Sequence, residues 1–420
     1  MEQQERYHGL DFVRAMAMLL GLVLHVCIFF MPVDNYLWVS GEYSGDPVNR
    51  WLLNFIHLFR MELFFFMAGF FAELVIFRKG FGNLLKDRTK RIVLPFIFAV
   101  LFMVPLHYFV INVNSFYSST LDGYGFFERY KVLFFWGAFA DKPIYDRTDI
   151  LAHYWFMYYL IVIYLFHFIL RPIVNFALQN KALNRFWAFC LMSPYGVFLL
   201  GLVSLPFQYS LTDLFFPPSG YDAPVLDIAF YGLYYVAGIL LFKSRALLKH
   251  LASNCWFYFF ASIPFFIFLD TPTKNFSYGA SVVVDITSWK ISNFNYLHEG
   301  LFYGGWSKVM IAYGRAVSCW LMCFAFIGLA HRFLNKPNPT IRYLADSAYW
   351  VYWIHMPLTF GLSKAGQQLG LVNSLTKSYV ILLVSTVIIY WSYNTFVRYS
   401  VLGDFFMGRR KLRGAEGESN

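Results

Sequence analysis

A chain of 420 residues in which 59% of side chains are hydrophobic, 22% aromatic and only 14% charged is excluded as a water-soluble globular domain and reads as an all-α polytopic membrane protein. Its formal net charge of +10 does not call for nucleic acid, because lysines and arginines in such a chain first report which side of the bilayer each connection faces. No internal repeat, Gly/Ser linker or second domain interrupts the pattern, so 1–400 reads as one transmembrane domain and 401–420 as a basic, then polar, cytoplasmic tail.

Ten apolar stretches are long enough to span a bilayer, at about 10–31, 51–77, 92–112, 150–170, 186–207, 224–242, 255–270, 308–330, 343–363 and 376–398. With the N-terminus inside, the inner connections carry Arg78, Lys79, Lys86, Arg88, Lys90 and Arg91, then Arg171, Lys181 and Arg185, then Lys243, Arg245 and Lys249. The outer connections are sparser in lysine and arginine, so the positive-inside rule places both termini in the cytoplasm. The residues before the first span are too few and too polar for a secretory leader, and that span is expected to stay in the protein. All five cysteines fall inside apolar stretches as small hydrophobes, and Cys319 with Cys323 lacks a second ligand pair, so no metal site is expected.

The first span carries two groups that a bilayer disfavours, Arg14 and His25. Eleven residues are three helical turns plus about 20°, so both lie on one face about 16 Å apart. The second span descends from the outside and brings His57 to about 9 Å and Arg60 to about 13 Å, three residues apart on one face. Glu62 follows as a counter-ion for Arg60 or Arg315, whereas Glu73, nearer the inner end, reads as an interface charge. The fourth span opens on His153, Tyr154 and Trp155, and its His167 reads as an interface residue. The eighth brings Arg315 to about 10 Å below the outer surface, and the ninth raises His355 about 18 Å from the inner one. Singly, each group has a bland explanation in snorkelling or capping. Together, four histidines and two arginines from five spans at nearly one level imply a polar cavity opening outward.

An imidazole with an ordinary pKa near about 6.5 serves as a general base toward a hydroxyl. Guanidiniums and further imidazoles hold an oxyanion. Carboxylate pairs for glycoside hydrolysis, a nucleophile elbow and a phosphate loop are missing, which leaves acyl transfer as the best-fitting chemistry. The alternative is a proton-coupled transporter of a small anionic or sugar substrate, since intramembrane His and Arg also mark such pathways. Inverted repeats and Gly/Pro-broken helices in matching halves, which would favour it, are not evident.

Arg14, ten intervening residues and His25 resemble the first-helix signature of the membrane acyltransferase 3 family. Further segments in the same order are similar to its glucan biosynthesis protein C branch, which succinylates osmoregulated periplasmic glucans. They are Asn54 to Met61 (NFIHLFRM), Arg88 to Pro95 (RTKRIVLP), His153 to Phe156 (HYWF) and Tyr352 to Thr359 (YWIHMPLT). The likeness runs from about 7 to 400. It departs at Ala68, where the family usually has Ser, and at Glu62, where the glucan branch carries an amide. No extracytoplasmic hydrolase-like domain of the kind fused to some relatives is expected.

The resemblance implies a multi-pass enzyme of a bacterial inner membrane that takes an acyl group from a cytoplasmic acyl-CoA and passes it to a carbohydrate hydroxyl outside, with no tightly bound cofactor. On that reading Arg14, Arg88 and Arg91 meet the donor's phosphates, and a pantetheine arm of about 20 Å reaches the His25 level. His25 deprotonates the acceptor, Arg60 with His57 steadies the oxyanion, and His355 orients His25 or returns the proton. Asn54, Glu62, His153, Trp155 and Arg315 complete the substrate-binding set, with Arg315 or Arg60 as the cation for a succinyl carboxylate. The long outer connections 32–50, 113–149 and 271–307, rich in Tyr and Trp, are the expected glucan-facing surfaces, with 126–140 as a short interfacial helix.

Overall fold

A computed structural model describes residues 7–31, 45–111, 123, 125, 127–129, 151–211, 220–221, 224–273, 283–285, 290–292, 306–368, 373–401 and 403–404. Most of the three long outer connections, most of 126–140 and the tail beyond 404 lie outside these residues, and with them the expected glucan-facing rings.

The described chain is helical apart from a two-stranded antiparallel ribbon, β1 (Val283–Asp285) with β2 (Lys290–Ser292). In order the helices are α1 (His8–Phe30), α2 (Pro47–His57), α3 (Arg60–Lys79), α4 (Phe81–Val110), α5 (Trp155–Ile169) and α6 (Arg171–Gln179). There follow α7 (Lys181–Met192), α8 (Gly196–Tyr209), α9 (Val225–Lys243), α10 (Leu248–Ser253) and α11 (Cys255–Thr273). The last are α12 (Trp306–Phe333), α13 (Pro339–Gln368) and α14 (Ser374–Ser392). Six helices among the described residues are long and apolar enough to cross a membrane, or seven if the bent pair α7 and α8 counts as one span.

Two of the ten expected spans are not continuous helices. The stretch 186–207 bends by 119° between α7 and α8. Ser193 there is extended, with φ −92° and ψ 135°, because it precedes Pro194 and the proline ring disfavours the helical region for its neighbour. The stretch 51–77 breaks at Leu58 and Phe59, where Phe59 takes φ −140° and ψ −16°. The carbonyls released by that break are used by α12. Arg315 Nη2 donates to the His57 carbonyl at 3.5 Å, and Cys319 Sγ donates to the Leu58 carbonyl at 2.7 Å. His57 and Arg60 therefore sit on two helices and not on one face of a single helix.

Close backbone crossings hold the bundle together. A methyl group at Gly69 of α3 would collide with the Tyr235 carbonyl of α9, and one at Gly238 of α9 with the Phe66 carbonyl of α3. Only glycine permits this reciprocal approach, which gives two apolar helices the dense packing that substitutes for a hydrophobic drive inside lipid. α1 packs chiefly along α13, and α12 runs between α8 and α11. In α4, π turns at Thr89–Val93 and Ala99–Met103 lie just ahead of Pro95 and Pro105, whose missing N–H groups interrupt the regular ladder.

Glu73 and His167 are not interface groups as expected. Glu73 is 3% exposed and takes a two-pronged ion pair from Arg171, at 2.7 and 3.2 Å. Arg171 Nη1 also donates to His167 Nε2 at 3.0 Å. The His167 proton therefore sits on Nδ1 and is donated to the Tyr235 hydroxyl at 2.7 Å. This chain of contacts ties α3, α5, α6 and α9 at one end of the bundle.

Candidate functional site

Two cavities lie one above the other inside the bundle. The larger, about 300 Å³, is lined by Arg14, Arg88 and Arg91 together with Met18, Phe64, Ala68, Phe71, Phe156, Tyr164 and Tyr349, among others. The smaller, about 20 Å³, is lined by His25, Arg60, His153 and His355 with Ala17, Met18, Met61, Phe64, Phe156 and Tyr352. We refer to them as the vestibule and the chamber. Helical spacing explains the stack, because residues three, four, seven and eight apart share a face. On α1 the stripe Arg14, Met18, His25 runs from vestibule to chamber. α3 carries a stripe in the opposite sense, from Arg60 through Phe64 to Ala68 and Phe71. α13 contributes Ala345, Ala348 and Tyr349 below, then Tyr352 and His355 above.

In the chamber the His25 and His355 rings are 5.1 Å apart, His25 and His153 6.0 Å, and His153 and His355 4.9 Å. His355 Nδ1 lies 2.7 Å from the Tyr352 carbonyl and 3.1 Å from that of Val351. Carbonyl oxygens only accept, so the proton is on Nδ1 and the Nε2 lone pair has no hydrogen-bond partner among the described residues. Nε2 faces α1 at Gly21, where a methyl group would come within 3.5 Å of it and within 2.7 Å of Arg60 Nη1. The glycine thus admits both side chains to the wall of α1.

His153 is placed by an unusual backbone. Ala152 takes φ 45°, a left-handed conformation that costs a residue with a side chain about 1–3 kcal/mol. It opens the tight turn Ala152–Tyr154 ahead of α5. His153 Nε2 then donates to the Tyr352 carbonyl at 3.2 Å, while the Tyr352 hydroxyl donates back to the His153 carbonyl at 3.1 Å. This reciprocal pair fixes the ring against α13 and leaves Nδ1 without a hydrogen-bond partner.

The two arginines expected at this level differ. Arg315 is 3% exposed and its Nη2 lies 3.3 Å from Glu62 Oε1, with Glu62 fully buried. It lines neither cavity. Arg60 lines the chamber, and among the described residues no carboxylate forms an ion pair with it. Glu62 therefore serves Arg315. His57, Asn54 and Trp155 also line neither cavity. The Asn54 carbonyl accepts from Leu58 N at 3.1 Å, and Trp155 packs on Tyr159 and Tyr231 at 4.9 and 5.3 Å.

In the vestibule Arg88 and Arg91 share one carboxylate, Asp87, at 3.1 and 2.9 Å, and Arg14 lies 3.6 Å from Asp11. Arg91 is 54% and Arg14 39% exposed at the side chain. These are cations that a phosphate-bearing ligand can reach. The Tyr349 hydroxyl donates to the Arg91 carbonyl at 2.7 Å and so ties the start of α4 to α13.

A fourth imidazole, His107 of α4, was not among the sequence-derived candidates. It is 1% exposed, both its ring nitrogens lack hydrogen-bond partners among the described residues, and its ring lies 6.3 Å from His153 and 5.1 Å from Phe360. Depth alone identifies it. Fifteen residues beyond the start of the third span at 92 it stands about 22 Å along the helix axis, as far in as His25 on the first. Among the described residues no cluster of three or more His, Cys, Asp or Glu has the arrangement of a metal site.

Set beside known proteins, residues 7–394 match the family model for an acyltransferase domain. The glucans biosynthesis protein C of Escherichia coli O1:K1 / APEC is 22% identical over 370 residues, covering 84% of this chain and 82% of that protein. The protein of the same name from strain SMS-3-5 / SECEC is 21% identical over 367 residues, with the same coverage. No solved structure matches the chain. With nearly its whole length matched, the chain belongs to the acyltransferase 3 family and is a multi-pass membrane enzyme of O-acyltransferase type.

Proposed function

We propose that this enzyme moves a succinyl group from a cytoplasmic acyl-CoA to a hydroxyl of an extracytoplasmic glucan across a bacterial inner membrane. In this reading the chain crosses the membrane ten times, the short and bent helices included, with both termini and the arginine-lined vestibule on the cytoplasmic side. The observation that carries the proposal is the stack itself, three arginines below and three imidazoles with Arg60 above, joined along common helix faces. The likeness to proteins named for glucan biosynthesis supports the choice of acceptor. The bent pair α7 and α8 contributes to neither cavity, and the carbonyls freed at the α2 to α3 break beside the chamber are taken by Arg315 and Cys319 of α12, unlike the discontinuous helices that offer freed backbone groups to a transporter's substrate.

The donor's phosphates meet Arg14, Arg88 and Arg91, and the pantetheine arm runs up the stack to place the thioester beside His25. His25 takes the hydroxyl proton as the acceptor oxygen bonds to the thioester carbonyl. Arg60 holds the resulting oxyanion. The C–S bond then breaks, the ester leaves with the glucan, and the thiolate takes the proton back from the imidazole. His355, its Nδ1 proton held by two carbonyls and its ring 5.1 Å from that of His25, packs beside the base and keeps its Nε2 lone pair open to a substrate proton. Arg60 has a second use in this scheme, since its guanidinium at the chamber wall suits a dicarboxylic acyl group. Mass spectrometry of extracytoplasmic glucans from cells with and without the gene tests substituent and acceptor together. Added succinyl esters that depend on the gene are the expected result. Glucans of identical mass in both would refute the proposal.

A further inference from the structure

Three side chains line both cavities: Met18 of α1, Phe64 of α3 and Phe156 of α5. Each stands between a vestibule residue and a chamber residue of its own segment: Met18 between Arg14 and His25, Phe64 between Ala68 and Arg60, Phe156 between Leu160 and His153. They therefore form the partition between the two spaces. Phe64 and Phe156 are each 6% exposed, with their rings edge to face at 4.9 Å, and Phe156 packs in turn on Tyr352 at 4.8 Å. The aromatic pair is thus held from behind. Met18 is only partly buried, and its unbranched, three-torsion side chain is the part of the partition that moves most cheaply. Above it the chamber has room for about one water molecule, so nothing as large as an acyl group enters without displacing the partition.

We propose that Met18, Phe64 and Phe156 act as a sieve through which the acyl end of the donor passes, with Met18 as its moving part and the length of the acyl group as the property selected. This rests on the acyl-transfer reading above and adds the residues that set donor specificity. The same closure keeps water from the vestibule away from the imidazoles, and so away from a thioester poised for transfer.

The test is a series of straight-chain acyl-CoA donors, from acetyl to octanoyl, offered to the purified full-length chain in lipid nanodiscs with a saturating glucan acceptor. Thiol release and acceptor acylation are followed together. Met18→Ala is expected to raise the turnover of longer donors relative to acetyl by about tenfold for each additional methylene admitted, the lower range for one methylene in an apolar pocket. It is also expected to release more thiol than ester, the excess being hydrolysis. Met18→Phe is expected to shift the profile toward acetyl. Should either variant fold poorly, Phe64→Leu and Phe156→Leu widen the same opening and are read in the same way. Profiles that superimpose on the wild type, with all donors scaled alike, overturn the sieve and leave acyl transfer standing. A wild type that releases no thiol from any of these donors, nor from succinyl-CoA run beside them, overturns both.

Discussion

Arg60 and Arg315 enter the protein at nearly the same level and in the same chemical form, yet their surroundings have little in common. Arg315 is sealed, paired with the buried carboxylate of Glu62 and engaged by the carbonyl freed at the α2 to α3 break. Arg60 lines the chamber and, among the described residues, forms no ion pair with a carboxylate. A cation inside a bundle needs an anion, and a protein that supplies one internally has used that charge for its own fold. Where it supplies none, the charge is left for a ligand. In the proposed scheme Arg315 therefore holds the fold and Arg60 faces the chemistry.

The sharpest way to break this contrast is to remove each arginine in turn. Arg315→Met leaves Glu62 buried without its cation and is expected to cost about 3–5 kcal/mol of stability, read as loss of monodisperse protein after detergent extraction. The double variant Glu62→Met with Arg315→Met should recover most of that loss, since a buried pair exchanged for apolar side chains is close to neutral. Arg60→Met is expected to fold normally and to lose about 100- to 1,000-fold in kcat, the effect of deleting one oxyanion donor. Equal damage to folding from both single variants would erase the distinction.

Smaller changes sharpen it. Gly21→Ala places a methyl group 2.7 Å from Arg60 Nη1, so the guanidinium must shift, and turnover is expected to fall about tenfold for about 1–2 kcal/mol of overpacking, as followed by thiol release and thermal melting. His107→Phe is expected to raise stability by about 1 kcal/mol, because it removes two nitrogens that have no partner and retains a ring against Phe360. His153→Phe is expected to lower stability by a similar amount, because it deletes the bond to the Tyr352 carbonyl. Thermal melts of the two in one detergent compare them directly.

Much of the site follows from helix periodicity and depth. The stripe Arg14, Met18, His25 and the entry of Arg60, His153 and His355 at one level need only 3.6 residues per turn and a rise of about 1.5 Å per residue. His107 obeys the same arithmetic. The partner of Glu62 was open between Arg60 and Arg315 because residues 253 positions apart meet only through the packing of α3 on α12. His57 illustrates another limit. Three-residue spacing places it beside Arg60 on an unbroken helix, but Phe59 leaves the helical region, and no side-chain pattern at Leu58 and Phe59 announces it. The bend at Ser193, by contrast, is written in the proline that follows it. Glu73 and His167 looked like interface groups because each lies near the end of an apolar stretch. Their burial comes from Arg171 and Tyr235, which tertiary contact alone brings together.

At the centre of this account is a single imidazole that serves an acyl group arriving through the vestibule. The most direct test is glucan-dependent thiol release from succinyl-CoA by purified wild type and His25→Gln, with donor binding measured in parallel. The account predicts a fall of about 100- to 10,000-fold in turnover, the range for loss of a general base, with donor affinity unchanged because the arginines below are untouched. Wild-type turnover in the variant would contradict it.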